Sequence, residues 1–118
     1  MKEFIKLEER DMYIRREDLI SKAATTLFVE AATRNEYGTW EMLDLRLAEM
    51  LDVDSSIIDD LAYEIVNRVY ELYGKVVANV EVNEYKEKYL MFDITLYGIG
   101  IPQYAIEDVC LVEEPYED

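Results

Sequence analysis

The 118-residue chain carries 27 Asp and Glu against 12 Lys and Arg and has no histidine, for a net charge of −15 at pH 7. That field disfavours direct binding to phosphate backbones or anionic membranes. The missing histidine removes Ser-His-Asp, Cys-His and histidine-rich metal chemistry. With 51% hydrophobic residues, the sequence predicts one folded domain over residues 1–118 rather than an acidic disordered tail.

No apolar run approaches the roughly 20 residues that span a bilayer. The opening MKEFIKLEERD has no apolar core of signal-peptide length. Lone Cys110 cannot form an internal disulfide, and it sits in an alternating run that predicts burial rather than reactivity. A cytoplasmic protein is expected. The charge is unevenly spread. Residues 1–35 hold seven acids and seven bases, so the entire −15 falls in residues 36–118, with 20 acids and five bases.

In chain order, residues 1–15 alternate weakly (Phe4, Ile5, Leu7, then Met12, Tyr13, Ile14) and are expected as an N-terminal extended segment. Residues 16–35 read as a first helix. Leu19, Ile20, Ala23, Ala24, Leu27, Phe28, Ala31 and Ala32 make its apolar stripe, and Glu17, Asp18 and Arg34 suit its dipole. Asn35–Gly38 reads as a turn. Thr39 is the expected N-cap of a second helix, Trp40–Leu51, with Trp40, Leu43, Leu47, Ala48 and Leu51 inward and Asp44 and Glu49 outward. Asp52 to Gly74 reads as a third, longer helix. Asp54, Ser55 and Ser56 mark its start, Ser56-x-x-Asp59 is a loose capping box, and Gly74 suits a left-handed stop. Its apolar face is Ile57, Ile58, Leu61, Ala62, Ile65, Val66, Val69, Leu72 and Tyr73, with Asp59, Asp60, Glu64 and Glu71 off the stripe.

After Gly74 the period falls to two. Lys75–Val82 reads as a strand with Val76, Ala78, Val80 and Val82 on one side. Asn83–Glu87 is a turn longer than two residues, and Lys88–Tyr97 is a strand with Leu90, Phe92, Ile94 and Leu96 inward. Its outward side (Tyr89, Met91, Tyr97) is apolar enough to need a cover, either the N-terminal strand or a second chain. Residues 98–102 are a connector, Tyr104–Val112 a third strand, and residues 113–118 an acidic tail. The fold class is α+β: three helices and a small antiparallel sheet made of a hairpin plus a third strand.

Two motifs are mimicked around Asp52. Asp52-x-Asp54-x-Ser56 opens like a calcium loop, but Ile57 stands where that loop needs Gly and Tyr63 where it needs a bidentate Glu. No metal and no cofactor are expected. Leu47-Ala48-x-x-Leu51-x-Val53, followed by Ile57, Ile58 and Leu61, resembles a helix-turn-helix. With a helix before it and a strand pair after it, the likeness extends to the winged-helix arrangement over about residues 17–97. The DNA-reading version is disfavoured because the would-be recognition helix opens Ser55-Ser56-Ile57-Ile58-Asp59-Asp60, without a cation.

The chemistry left is that of a binding surface. Carboxylates three and four residues apart on a helix lie about 5–6 Å apart, a regular anionic row that can compete for an Arg- and Lys-lined nucleic-acid groove. Tyrosine favours interfaces. The expected partner-binding residues are Asp44, Glu49, Asp52, Asp54, Asp59, Asp60, Glu64, Glu71, Tyr63 and Tyr70. In size and charge the chain resembles the small acidic inhibitors of phages and mobile elements that block CRISPR or restriction enzymes. That likeness implies a non-enzymatic inhibitor of a basic nucleic-acid-binding protein. The rival expectations are a self-associating accessory protein, a homodimer through the sheet, and a winged-helix-like adaptor that binds another protein.

Overall fold

The computed structural model describes residues 3–34, 38–97 and 111–112. Three helices and antiparallel strands make an α+β fold. The N-terminal strands β1 (Phe4–Lys6) and β2 (Tyr13–Arg15) form a hairpin that leads directly into α1 (Arg16–Arg34). Then come β3 (Gly38–Leu43), α2 (Asp44–Leu51), α3 (Ser55–Tyr73), β4 (Val77–Tyr85), β5 (Tyr89–Leu96) and β6 (Leu111–Val112).

The strands form two sheets, with orders β1-β2-β6 and β3-β5-β4. The second sheet contains the expected hairpin plus a third strand, but the third strand is β3 and not Tyr104–Val112. Of that C-terminal segment, Leu111 and Val112 pair with β2, and residues 104–110 lie outside the described residues. From α1 to β5 the order is helix, strand, helix, helix, hairpin, and the inter-helix strand joins the hairpin through its second strand. This is the element and strand order of the winged-helix arrangement.

The helices cover one face of the β3-β5-β4 sheet. Met42, Val77, Val80, Phe92, Ile94 and Leu96 are buried there beneath Leu27 and Phe28 of α1, Leu47 and Leu51 of α2, and Leu61, Ile65 and Val69 of α3. The alanines of α1 let α3 approach closely. Phe28 stacks on Tyr73 with ring centroids 4.1 Å apart, and the Tyr73 hydroxyl is 2.7 Å from that of buried Thr25. The hairpin seals the end of this core with Ile5, Leu7 and Ile14. It sits against the α2–α3 joint, where the Glu8 N–H donates to the Asp52 carbonyl at 2.8 Å. It is therefore no cover for the outer face of the β3-β5-β4 sheet.

Five local expectations are corrected. The helix read over Trp40–Leu51 is strand through Leu43 and helix only from Asp44. Trp40, Leu43 and Leu47 mimic a helical stripe, but residues 39–43 alternate, with Met42 buried, Trp40 half-buried on the same side and Thr39 and Glu41 exposed. In β4 a bulge between Val77 and Asn79 pushes Ala78 outward, so Val76 and Val77 are both buried. The hairpin turn is longer than two residues, as expected, but it is Lys86, Glu87 and Lys88 rather than Asn83–Glu87, because β4 runs on to Tyr85. Lys86 and Glu87 are both at positive φ (56° and 58°), and Lys88 N–H donates to the Tyr85 carbonyl at 3.3 Å. Gly74 has φ −59° and is not left-handed. A Cβ there would lie 2.5 Å from the Tyr70 carbonyl oxygen, so glycine is required by close approach. The apolar face of α3 is also narrower than its sequence implies, because Leu72 is exposed.

Candidate interaction surface

The acids along α2 and α3 do not form one free row, because the fold uses most of them internally. Asp44 was expected to face outward. Since α2 begins at this residue, its side chain sits at the helix N-terminus and is buried, with 1% exposure. There it accepts the Leu45 N–H at 2.7 Å, in the favourable field of the helix dipole. Asp59 of α3 meets it from the neighbouring helix. Burial of the Asp59 carboxyl, its hydrogen bond to Asp44 and the nearby charges of Asp44, Asp60 and Asp54 raise its pKa to about 7. The Asp59 carboxyl therefore holds its proton well above the ordinary aspartate range beside Asp44.

Asp52 occupies the left-handed position after α2 (φ 60°), where glycine is common. Its carboxylate reaches back to the N-terminal hairpin and accepts Glu9 N–H at 2.9 Å and Arg10 N–H at 3.3 Å. Arg10 Nε also donates to it at 3.4 Å. The Glu9 hydrogen bond first, and the Arg10 contacts after it, hold this carboxyl below the ordinary aspartate range against a smaller opposing effect of burial. Asp54 is the N-cap of α3 and accepts Ser56 N–H at 3.1 Å together with the Ser56 hydroxyl, which lowers its pKa.

Glu64 is ion-paired with Arg16 at the start of α1, and Glu71 lies 3.6 Å from Arg68. Arg68 also pairs with Glu17 at 2.7 Å and donates to the Ser21 hydroxyl, which ties α3 to α1. The Tyr70 hydroxyl accepts Val80 N–H at 2.7 Å, on the edge of β4. Glu49, Asp60 and Tyr63 are the expected residues left exposed without a hydrogen-bond or ion-pair partner among the described residues, and Tyr63 is 77% exposed. Asp60 lines an open groove of about 730 Å³ between the N-terminal hairpin and α3, with Phe4, Ile5, Tyr13 and Ile57 on its walls.

A different set of acids is free, on the face of the β3-β5-β4 sheet away from the helices. The register sets Glu41 opposite Asp93 and Asp93 opposite Glu81, so the three carboxylates cross the sheet in one row. Opposed residues have Cβ atoms about 5 Å apart. No cation pairs with any of the three among the described residues; Asp93 accepts a hydrogen bond from the Asn83 amide at 2.8 Å. The strands of this sheet contain four acids, Glu41, Glu81, Glu84 and Asp93, and no Lys or Arg. The ion pairs found among the described residues all lie on the hairpin and helices.

On one side of the acidic row lie Thr39, Thr95 and Asn79, with the two threonine hydroxyls 2.7 Å apart. On the other lie Leu43, Met91 and Asn83, then Tyr89 opposite Tyr85. Asp93 and Glu81 are outward-facing by their alternation in sequence. Glu41 was hidden because its segment was read as helix, although the in-out alternation of residues 39–43 was the available signal.

Among the described residues no group of three or more Asp, Glu or Cys side chains is arranged to hold a metal ion, and no helix is long and apolar enough to cross a membrane. No protein family, curated protein or solved structure matches the chain.

Proposed function

We propose that this protein is a non-enzymatic, cytoplasmic inhibitor or regulator that binds a basic, nucleic-acid-binding surface of another protein. The observation that carries this reading is the pairing pattern of the charge. Within a net −15, six cations (Lys6, Arg10, Arg15, Arg16, Arg34 and Arg68) are held in ion pairs on the hairpin and helices, while the strands of one sheet hold four acids and no Lys or Arg and keep their carboxylates without an ion pair among the described residues. A surface of that kind attracts Arg- and Lys-rich grooves and speeds encounter with them.

The same fact weighs against the DNA-reading use of the winged-helix arrangement. The exposed side of α3 presents Asp59, Asp60, Tyr63 and Tyr70, and its one arginine, Arg68, is tied to Glu17 and Ser21. It also weighs against self-association through the sheet, which would bring two acidic rows together.

The test is a tagged pull-down from bacterial lysate at low and moderate salt, followed by addition of DNA or RNA to the captured material. Capture of a nucleic-acid-binding protein, released both by salt and by nucleic acid, is the expected result. Capture that ignores both, or capture of its own copies alone, overturns the reading.

A further inference from the structure

We propose that the outer face of the β3-β5-β4 sheet is the docking surface for the basic partner, with Glu41, Asp93 and Glu81 meeting its Arg and Lys side chains. This rests on the function proposed above and specifies which surface performs it.

Three observations converge on this face. The first is charge. The row crosses all three strands, and the strands contain no cation that could neutralise it. The acids on the helical side, by contrast, are largely buried, capping or ion-paired.

The second is composition beside the charge. Leu43 and Met91, with Tyr85 and Tyr89 beyond them, flank the row at one end, and Tyr97 extends the central strand at the other. Tyr85 is 37% and Tyr97 52% exposed. Tyrosine and methionine are enriched where proteins meet. Tyrosine rings also stack against guanidinium groups. Lys86 and Lys88 already lie over the Tyr85 and Tyr89 rings at 5.2 and 5.5 Å, so the ring open to a partner's arginine is that of Tyr97. The third is energetic. Like charges directly opposite one another on a sheet destabilise it, so the row is a cost to the free protein that a cationic partner would relieve.

The chemistry of the occupant follows. A second copy of the chain would set row against row, and a nucleic acid would meet carboxylates with phosphates. A protein surface that presents arginines next to apolar side chains matches both the row and its tyrosine-methionine border.

The experiment uses the full-length ¹⁵N-labelled protein and a defined probe, an oligo-arginine peptide, at low salt. Two variants remove equal charge. One is Glu41→Gln, Glu81→Gln and Asp93→Asn; the other is Glu49→Gln, Asp60→Asn and Glu71→Gln. Amide shifts are expected on β3, β4 and β5. The sheet variant should bind the peptide roughly tenfold more weakly, equivalent to one lost charged contact of about 1.4 kcal/mol, and the helix variant within about threefold of the parent. The sheet variant should also melt at a higher temperature than the parent, which guards against loss of fold as the cause.

Shifts centred on α3, or equal weakening in both variants, overturn the assignment. So does line broadening of the sheet amides that vanishes on dilution of the free protein, which would give the face to a second copy. The two proposals fail separately. If the parent captures no nucleic-acid-binding protein but the peptide still docks on the sheet, the function falls and the surface stands. If the parent captures one and the sheet variant captures it equally well, the surface falls and the function stands.

Discussion

Asp59 shows how far the surroundings of one residue can move it from the role its position implies. On the outer side of α3 it reads as a free surface acid. Set against the buried Asp44 carboxylate it holds a proton up to about pH 7. Its unfolded pKa is near 3.8, so between these values the folded chain binds a proton that the unfolded chain has released. Stability from this pair is therefore greatest below the unfolded value and is lost as pH rises towards and through about 7. Asp59→Asn supplies a permanent N–H donor to Asp44. Denaturant melts at about pH 5 and about pH 8 should show the variant gaining on the parent at the higher pH, with the difference between them shrinking at the lower one. A constant difference across that range would mean that Asp59 does not titrate near 7. Tyr70 is a second case. Its hydroxyl satisfies Val80 N–H on the outer edge of β4, an amide that β5 does not reach. Tyr70→Phe keeps the ring and removes the acceptor. It should cost about 1 kcal/mol and should make the Val80 amide exchange faster than its neighbours, which hydrogen exchange reads directly.

At the scale of elements, the β4–β5 turn is a place where local chemistry and fold disagree. Tight hairpin turns with both central residues at positive φ favour Asn-Gly because other side chains are strained there. Here the positions hold Lys86 and Glu87. The paired replacement Lys86→Asn and Glu87→Gly should stabilise the protein by about 1–2 kcal/mol, seen as a higher denaturation midpoint with unchanged slope. An unchanged midpoint would mean that the cation–π contact of Lys86 with Tyr85 offsets the backbone cost. The turn was read over Asn83–Glu87 and lies at residues 86–88, since nothing in Asn-Glu-Tyr-Lys-Glu marks where the chain reverses. The α1 stripe and the inward set Phe92, Ile94 and Leu96 were legible because each is repeated several times at one period, and the start of α3 at Asp54 because its capping residues stand together. β3 was not, because its six residues begin at Gly38 and run straight into α2, so Trp40, Leu43 and Leu47 completed a helical pattern across the boundary. The candidate surface suffered for the same reason. Once β3 is read as helix, Glu41 has no place beside Asp93, and the row across the sheet cannot be seen. The uses of Asp52 and Asp54 were half visible. The cap position of Asp54 could be read from spacing, but Asp52 was read as the opening of the α3 stretch, and the hairpin amides that occupy it come from more than 40 residues away.

Over the whole molecule the charge has two consequences that salt separates. The Cα radius of gyration is 14.3 Å, so at an ionic strength of about 0.01 M, where the Debye length is about 30 Å, every carboxylate feels most of the others. At about 0.1 M that length falls to about 10 Å, shorter than the molecule's own radius. Self-repulsion of a net −15 destabilises the compact state, and screening should lift it. The thermal midpoint of the free protein is therefore expected to rise over this range of sodium chloride, and the rise should be smaller in the variant lacking Glu41, Glu81 and Asp93. Binding to a basic partner must move the other way, because the same screening weakens attraction between the acidic face and its cations. A charge that served solubility alone would give the first response without the second. Measuring the midpoint and the partner affinity across one salt series thus tests the carboxylates twice, and a partner affinity that held constant while the midpoint rose would remove the acidic surface from the interaction.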